Sequence, residues 1–263
     1  MRFLPAALRA ALYAVLLPTL AAVTAAQAET APSHDTPGSN GDRLQPFRAE
    51  YRINVSRIPT PIRAELLLEA GDDPDVYRMQ MSVDSRLMQN TELSIFHWQD
   101  CLPRTQHYMH HFRGFRRERD YFMDFQWDET PPKVMAVSTR DGDEKTEEYE
   151  IDESTVDELT MLLTARCLLR DDETEYTLKT AYGTRVRSHQ IAIVDREVLP
   201  SPLGDVDTLK IEKRRDADSS RYTVFWLAPE LDYMLIRARH VESRGLYGEL
   251  RLTEYEGPLQ PLD

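Results

Sequence analysis

The sequence is poor in the patterns from which common catalytic and cofactor sites are built. Its 263 residues include only two cysteines, and they form no C-x-x-C pair, which excludes a thioredoxin-like redox motif. The chain has neither the G-x-S-x-G turn of hydrolase nucleophiles nor a glycine-rich loop that could hold phosphates. We therefore expect a non-catalytic protein with no cofactor.

Basic charge is also scarce. The chain has 32 Lys and Arg residues against 45 Asp and Glu, a formal net charge of −13. A surface this acidic repels phosphates, which disfavours nucleic acid and the anionic face of a membrane as partners. Beyond residue 28, no segment approaches the roughly 20 apolar residues of a spanning helix. We expect no nucleic-acid partner and no membrane span after the first segment is removed.

The first 28 residues predict where the protein is located but not what it does. Arg2 and Arg9 precede a short apolar run over residues 10–23, and Ala26-Gln27-Ala28 supplies small residues at its exit. This order is typical of a secretory signal peptide, with a retained membrane anchor as the alternative. We predict cleavage after Ala28 and a periplasmic location. Removal takes away two arginines and no acid, so the net charge falls to −15.

The residues after Ala28 fall into three segments of different composition. Residues 29–45 are rich in Pro, Gly, Ser and charge, which predicts a disordered leader. Residues 46–257 are predicted to form a single all-β domain, and residues 258–263 a C-terminal tail.

Period-two alternation of apolar and polar residues dominates the predicted domain. It is clear over residues 47–55, 62–69 and 77–84, and Asp141-Gly142 is a hairpin signal. Strands follow one another at hairpin spacing, without βαβ alternation. We predict a mainly β fold: a large curved antiparallel sheet, or an open or closed barrel, of about ten to twelve strands.

One helix and one disulfide are predicted. Ser154 fits an N-cap, and Val156, Leu159, Leu163 and Cys167 follow at helical spacing, which indicates one long helix packed against the sheet. In an oxidising compartment a bond between Cys101 and Cys167 is favoured, and two buried free thiols are the alternative.

Three clustered histidines do not predict a metal site. In a strand, His107 and His111 share a face but lie roughly 13 Å apart, while His110 faces the other way. We expect exposed or partner-contacting histidines and no metal.

Large apolar side chains suggest where a ligand could lie. Tyr121, Phe125 and Trp127 share one strand face, and Met79 and Met81 lie on another strand. These rows either fill a solid core or line an apolar groove for a lipid or acyl chain. The five residues are our candidate ligand-binding set.

The C-terminal third carries a recognisable layout. Its segments are Pro202-Leu203-Gly204 with Leu209-Lys210-Ile211, then Phe225-Trp226-Leu227, Met234–Arg237 and Gly245–Leu250. This order resembles the domain of unknown function 3108 family of secreted bacterial envelope proteins, over about residues 46–257. Met234-Leu235 stands where that family usually has a proline. The resemblance implies an envelope location and a curved sheet with a helix, similar to periplasmic lipoprotein and lipid carriers. It transfers no catalytic residue.

Three functions remain open. The first is a soluble periplasmic carrier that binds an apolar ligand or acyl chain without chemistry. The second is a structural or regulatory module with a solid core, docked on an envelope protein partner. The third is a hydrolase of envelope polymers.

Overall fold

The structure is a computed structural model that describes residues 43–56, 62–73, 75–86, 88–114, 116–169, 174–215, 219–242 and 246–260. The predicted signal peptide and residues 29–42 of the predicted leader lie outside these residues. Leu44, in the predicted leader, is buried, and Leu259, in the predicted tail, packs against the core.

Strands make up most of the described residues. The first eight are β1 (Phe47–Val55), β2 (Ile62–Ala70), β3 (Val76–Asp84), β4 (Met88–Gln99), β5 (Leu102–Gly114), β6 (Arg117–Gln126), β7 (Lys133–Arg140) and β8 (Asp143–Glu150). The next seven are β9 (Val156–Asp157), β10 (Glu175–Tyr182), β11 (Arg185–Ser201), β12 (Gly204–Arg214), β13 (Tyr222–Ala228), β14 (Met234–Val241) and β15 (Tyr247–Glu256).

In the described part of the chain, these strands form one sheet with two edges. Its order is β8-β7-β6-β5-β4-β3-β2-β1-β15-β14-β13-β12-β11-β10-β9, so the first and last long strands pair at its centre. All pairs are antiparallel except β9 with β10. The predicted antiparallel sheet is confirmed, and it is not closed. The predicted number of strands was too low, since the sheet has fifteen.

The core lies on one face of the sheet because side chains alternate along each strand. Ala49 and Tyr51 of β1 are buried, whereas Arg48 and Glu50 face the other way. The Tyr51 hydroxyl donates to the carbonyl oxygen of Leu235 on β14 at 3.1 Å. We call the face that holds the core the inner face and its opposite the outer face.

The predicted long helix was wrong. Its residues instead form β9, a 3-10 turn at Thr160–Leu162 and a four-residue helix, α1 (Ala165–Leu168). Val156 pairs in parallel with Thr180 of β10, and this sheet contact overrides the helical spacing of the apolar residues. Ser154 does not cap a helix, because its hydroxyl bonds to the side chain of Asp152.

Asp157 explains why the helical turn starts late. Its carboxylate accepts backbone N–H bonds from Leu159 and Thr160, both at 2.8 Å. It also accepts the hydroxyls of Ser94 at 2.7 Å, Thr105 at 2.6 Å and Thr160 at 2.8 Å. These five bonds satisfy a completely buried carboxylate and fasten β9 to β4 and β5.

The predicted disulfide is confirmed. Cys101 and Cys167 are bonded, with their Cα atoms 6.1 Å apart and a sequence separation of 66. Cys101 lies in the turn between β4 and β5, and Cys167 lies on α1. The bond therefore anchors the short helix to the first half of the sheet. None of the helices in the described residues is long and apolar enough to cross a membrane.

We predict that Asp157→Ala lowers the free energy of unfolding by about 3–5 kcal/mol, because it leaves buried hydroxyl and N–H donors without an acceptor. The control is Asp152→Ala, which removes a more exposed carboxylate from the same segment and should cost about 1 kcal/mol. Urea unfolding of both variants measures the difference. Equal losses would contradict the role assigned to Asp157.

Candidate functional site

The structure does not bring the five candidate ligand-binding residues into one pocket. Met79 is buried and lines an apolar cavity of about 80 Å³, whereas Met81 is half-buried. Phe125 and Trp127 stack on each other with ring centroids 5.9 Å apart. Tyr121 lies in a different place, on the wall of a polar cleft.

The apolar cavities are small. Besides the cavity at Met79, a second one of about 40 Å³ lies between α1 and strands β10 to β13. Ligand pockets usually measure about 300–1,000 Å³. The sheet thus packs its apolar rows mainly against each other.

A larger cleft lies where the β10–β11 hairpin meets the inner face of β6, β7 and β8. Its volume is about 410 Å³, within the range of ligand pockets. Its lining residues are Tyr121, Ser138, Arg140, Asp143, Lys145, Tyr182, Gly183, Thr184, Arg185 and Arg187. We call it the Arg187 cleft.

Positive charge dominates this cleft in a chain that is acidic overall. Arg140, Arg185 and Arg187 form no ion pair with any carboxylate of the described residues, while Lys145 pairs with Glu147. Asp143 is the acidic residue of the lining. Three guanidinium groups therefore face the cleft without a neutralising partner.

Arg187 is held in place by an aromatic ring rather than by an acid. Its Cζ atom lies 4.0 Å from the centre of the Tyr182 ring, a cation–π contact. Its Nε atom is buried and has no hydrogen-bond partner among the described residues. Burial, with smaller effects of Tyr121 and Glu92, raises the pKa of Tyr182 to about 12. The Tyr182 phenol is thus neutral and able to donate.

His110 extends the aromatic wall beneath Tyr121 and Tyr182. Its ring centre lies 5.6 Å from that of Tyr121 and 6.1 Å from that of Tyr182. The His110 Nε2 atom lies 2.8 Å from the Asn90 side-chain oxygen, so Nε2 carries the proton and the buried Nδ1 is an acceptor without a partner. Burial lowers the pKa of His110, which favours the neutral ring.

The hairpin turn fits the cleft because it contains glycine. Gly183 has φ of +56°, and a Cβ atom there would lie 3.0 Å from the Tyr121 ring. The Tyr149 hydroxyl donates to the Gly183 carbonyl oxygen at 3.2 Å. These contacts fix the hairpin against β6 and β8.

A largely buried ion cluster holds the other side of the hairpin. The Glu158 carboxylate lies 2.7 Å from the Thr180 hydroxyl, 3.2 Å from His189 Nε2 and 3.0 Å from Lys213 Nζ. Burial alone would raise the pKa of Glu158, but the His189 hydrogen bond and the Lys213 charge offset it, and the pKa falls well below its ordinary value. Glu158 thus stays charged and fastens β10, β11 and β12.

His107 and His111 lie on the outer face. His107 lies 2.6 Å from Asp124, and His111 pairs with Asp120, while His110 points inward. Within the ranges the structure describes, no group of three or more His, Cys, Asp or Glu residues could hold a metal ion.

Comparison with known proteins identifies the family. The family model described as "Protein of unknown function (DUF3108)" matches residues 50–251, which run from β1 into β15. The chain belongs to the DUF3108 family. The match confirms the resemblance seen in the sequence and includes every residue that lines the Arg187 cleft. No curated protein matches this DUF3108 chain.

Sequence reasoning found Tyr121 but missed the arginines of the cleft. Arg185 and Arg187 are two residues apart after Gly183, which places them on one face of a strand. That local signal was available in the sequence. Their approach to Arg140 depends on contact between distant strands, which the sequence pattern does not show.

We predict that Gly183→Ala lowers the free energy of unfolding by roughly 1–2 kcal/mol, because alanine is strained in the left-handed conformation of this residue. The close contact of the added Cβ atom with the Tyr121 ring should lower it further. The control is Gly248→Ala, whose Cβ atom meets open space and should change stability by less than about 0.5 kcal/mol. Urea unfolding measures both. A Gly183→Ala protein as stable as wild type would refute the close approach.

Proposed function

We propose that this DUF3108 protein is a non-catalytic binding protein of the cell envelope that holds a small polyanion in the Arg187 cleft. The envelope location rests on the signal-like order of residues 1–28. The binding role rests on one observation, three arginines without ion-pair partners that line a cleft of about 410 Å³.

The chemistry of the cleft favours an anion. Guanidinium groups match carboxylate and phosphate oxygens with paired N–H bonds, and charge-assisted bonds of this kind are stronger than neutral ones. The Arg187 side chain forms no hydrogen bond or ion pair with the described residues, and its Nε is buried. An anion in the cleft would give this guanidinium an oppositely charged partner.

The size of the cavities favours a water-soluble ligand over the lipid or acyl chain expected from the sequence. The cavity at Met79 has room for only a few methylene groups, at about 80 Å³. The Arg187 cleft is several times larger and is lined by charged and phenolic groups. A ligand with two or more anionic groups could reach several arginines at once.

We predict that the chain without residues 1–28 binds inorganic pyrophosphate or citrate, and that Arg187→Gln weakens the affinity at least tenfold. The reason is the loss of a charge-assisted contact worth about 1.5–3 kcal/mol, where about 1.4 kcal/mol corresponds to tenfold. Isothermal titration calorimetry measures both. The two probes distinguish a phosphate from a carboxylate ligand.

The matched control is Arg113→Gln, which removes an exposed arginine paired with Glu118 at another hairpin. It should bind as wild type does, since it has the same charge change away from the cleft. Equal affinities of wild type and Arg187→Gln, or absence of binding by wild type, would overturn the proposal. If the wild-type protein bound a fluorescent fatty acid but neither anion, the apolar carrier function would be favoured instead.

A further inference from the structure

A row of arginines crosses the outer face of the sheet. In the strand register, Arg63 on β2 lies opposite Arg52 on β1, and Arg52 lies opposite Arg251 on β15. Arg251 in turn lies opposite Arg237 on β14. We call these four residues the arginine row.

The row points away from the core. The inner-face neighbours along the same strands are apolar: Ile62 and Ala64 on β2, and Tyr51 on β1, are buried. Arg52 and Arg63 are exposed, and the Arg251 side chain is 55% exposed. Most of the row is thus accessible to a partner on the side opposite the Arg187 cleft.

Carboxylates do not neutralise this row. Arg52 and Arg63 form no ion pair with a carboxylate of the described residues. Arg237 and Arg251 share the single carboxylate of Glu249 with Arg239. Burial alone would raise the pKa of Glu249, but hydrogen bonds from these three arginines lower it to about 2. The row therefore carries excess positive charge.

Such a row costs folding stability. Neighbouring strands lie about 4.7–4.9 Å apart, and like charges directly opposite each other on paired strands are destabilising. Three successive Arg–Arg pairs repeat this repulsion across four adjacent strands. A ligand that neutralises the row would relieve the cost.

We propose that the arginine row binds a linear polyanion, an acidic polysaccharide that lies across the strands. The row is one residue wide, and a parallel row of acids borders it. Glu50, two residues before Arg52, lies opposite Glu65 on one side and Glu254 on the other. Arg48 pairs with Glu50 and Glu65, but this one cation leaves the three carboxylates net negative. Only a ligand as narrow as the row can contact the arginines and avoid these acids.

This geometry favours a sugar polymer over a membrane. A flat anionic lipid surface would meet the acidic row and the arginine row together. A chain of sugar acids carries one carboxylate per ring, and one ring is about as long as the distance between adjacent strands. The planar guanidinium fork binds carboxylates with paired hydrogen bonds.

The acidic net charge of the chain does not prevent this contact. At physiological ionic strength, charges farther apart than about 8 Å are largely screened from each other. The distant acids of the chain therefore have little effect on a ligand at the row, and only the bordering acids lie close enough to repel it. The binding should weaken with added salt because bound counterions are released.

The test uses polygalacturonate as the probe and the chain without residues 1–28. We expect salt-sensitive binding by wild type, at least tenfold weaker binding by the double variant Arg52→Gln/Arg63→Gln, and no thermal destabilisation of that variant. The control, Arg78→Gln/Arg113→Gln, removes two exposed, acid-paired arginines elsewhere and should bind as wild type does. Biolayer interferometry measures affinity, and differential scanning calorimetry measures stability.

Three results would overturn the proposal. The first is absence of binding by wild type. The second is an equal loss in both double variants, which would show that only net charge matters. The third is stronger binding to phosphatidylglycerol vesicles or to single-stranded poly(dT) than to polygalacturonate. Arg187→Gln should retain polygalacturonate binding, since the row and the cleft lie on opposite faces. Its loss would place the polymer in the cleft and refute the row.

Discussion

Besides the pairing of β1 with β15 at its centre, two adjacent carboxylates, one buried and one largely buried, connect the two halves of this sheet. Asp157 binds the hydroxyls of Ser94 and Thr105 on β4 and β5. Glu158, the next residue, binds groups on β10, β11 and β12. Side chains alternate direction along extended chain, so neighbouring residues can reach opposite halves. Removal of either carboxylate would leave buried donors or a largely buried lysine unpaired.

The Arg187 cleft depends on this connection. Glu158 fixes the strands that carry the β10–β11 hairpin, and Gly183 lets the turn approach the Tyr121 ring. The hairpin then places Arg185 and Arg187 near Arg140 and Lys145 of β7 and β8. Cationic groups from distant parts of an acidic chain are held close together at one site. The fold supplies the energy that keeps these like charges near each other.

Short-range sequence patterns correctly predicted the features that depend on neighbouring residues. The alternation over 47–55 gave a strand, Asp141-Gly142 gave the β7–β8 hairpin, and two cysteines in a predicted oxidising compartment gave the disulfide. The helix prediction failed because tertiary bonds of Asp157 outweigh helical spacing. The arginines of the cleft were missed because they meet only through the arrangement of distant strands. The net charge of −13 averages over the chain and thereby conceals two cationic sites.

An anion bound in the Arg187 cleft should shield the surrounding backbone from exchange with solvent. Hydrogen–deuterium exchange, followed by mass spectrometry with and without pyrophosphate or citrate, tests this binding directly. We expect slower exchange in residues 182–187 and 138–145, which border the cleft, and unchanged exchange in residues 227–235 at the apolar cavity. Protection confined to residues 227–235, or no protection with either anion at saturating concentration, would contradict anion binding in the cleft.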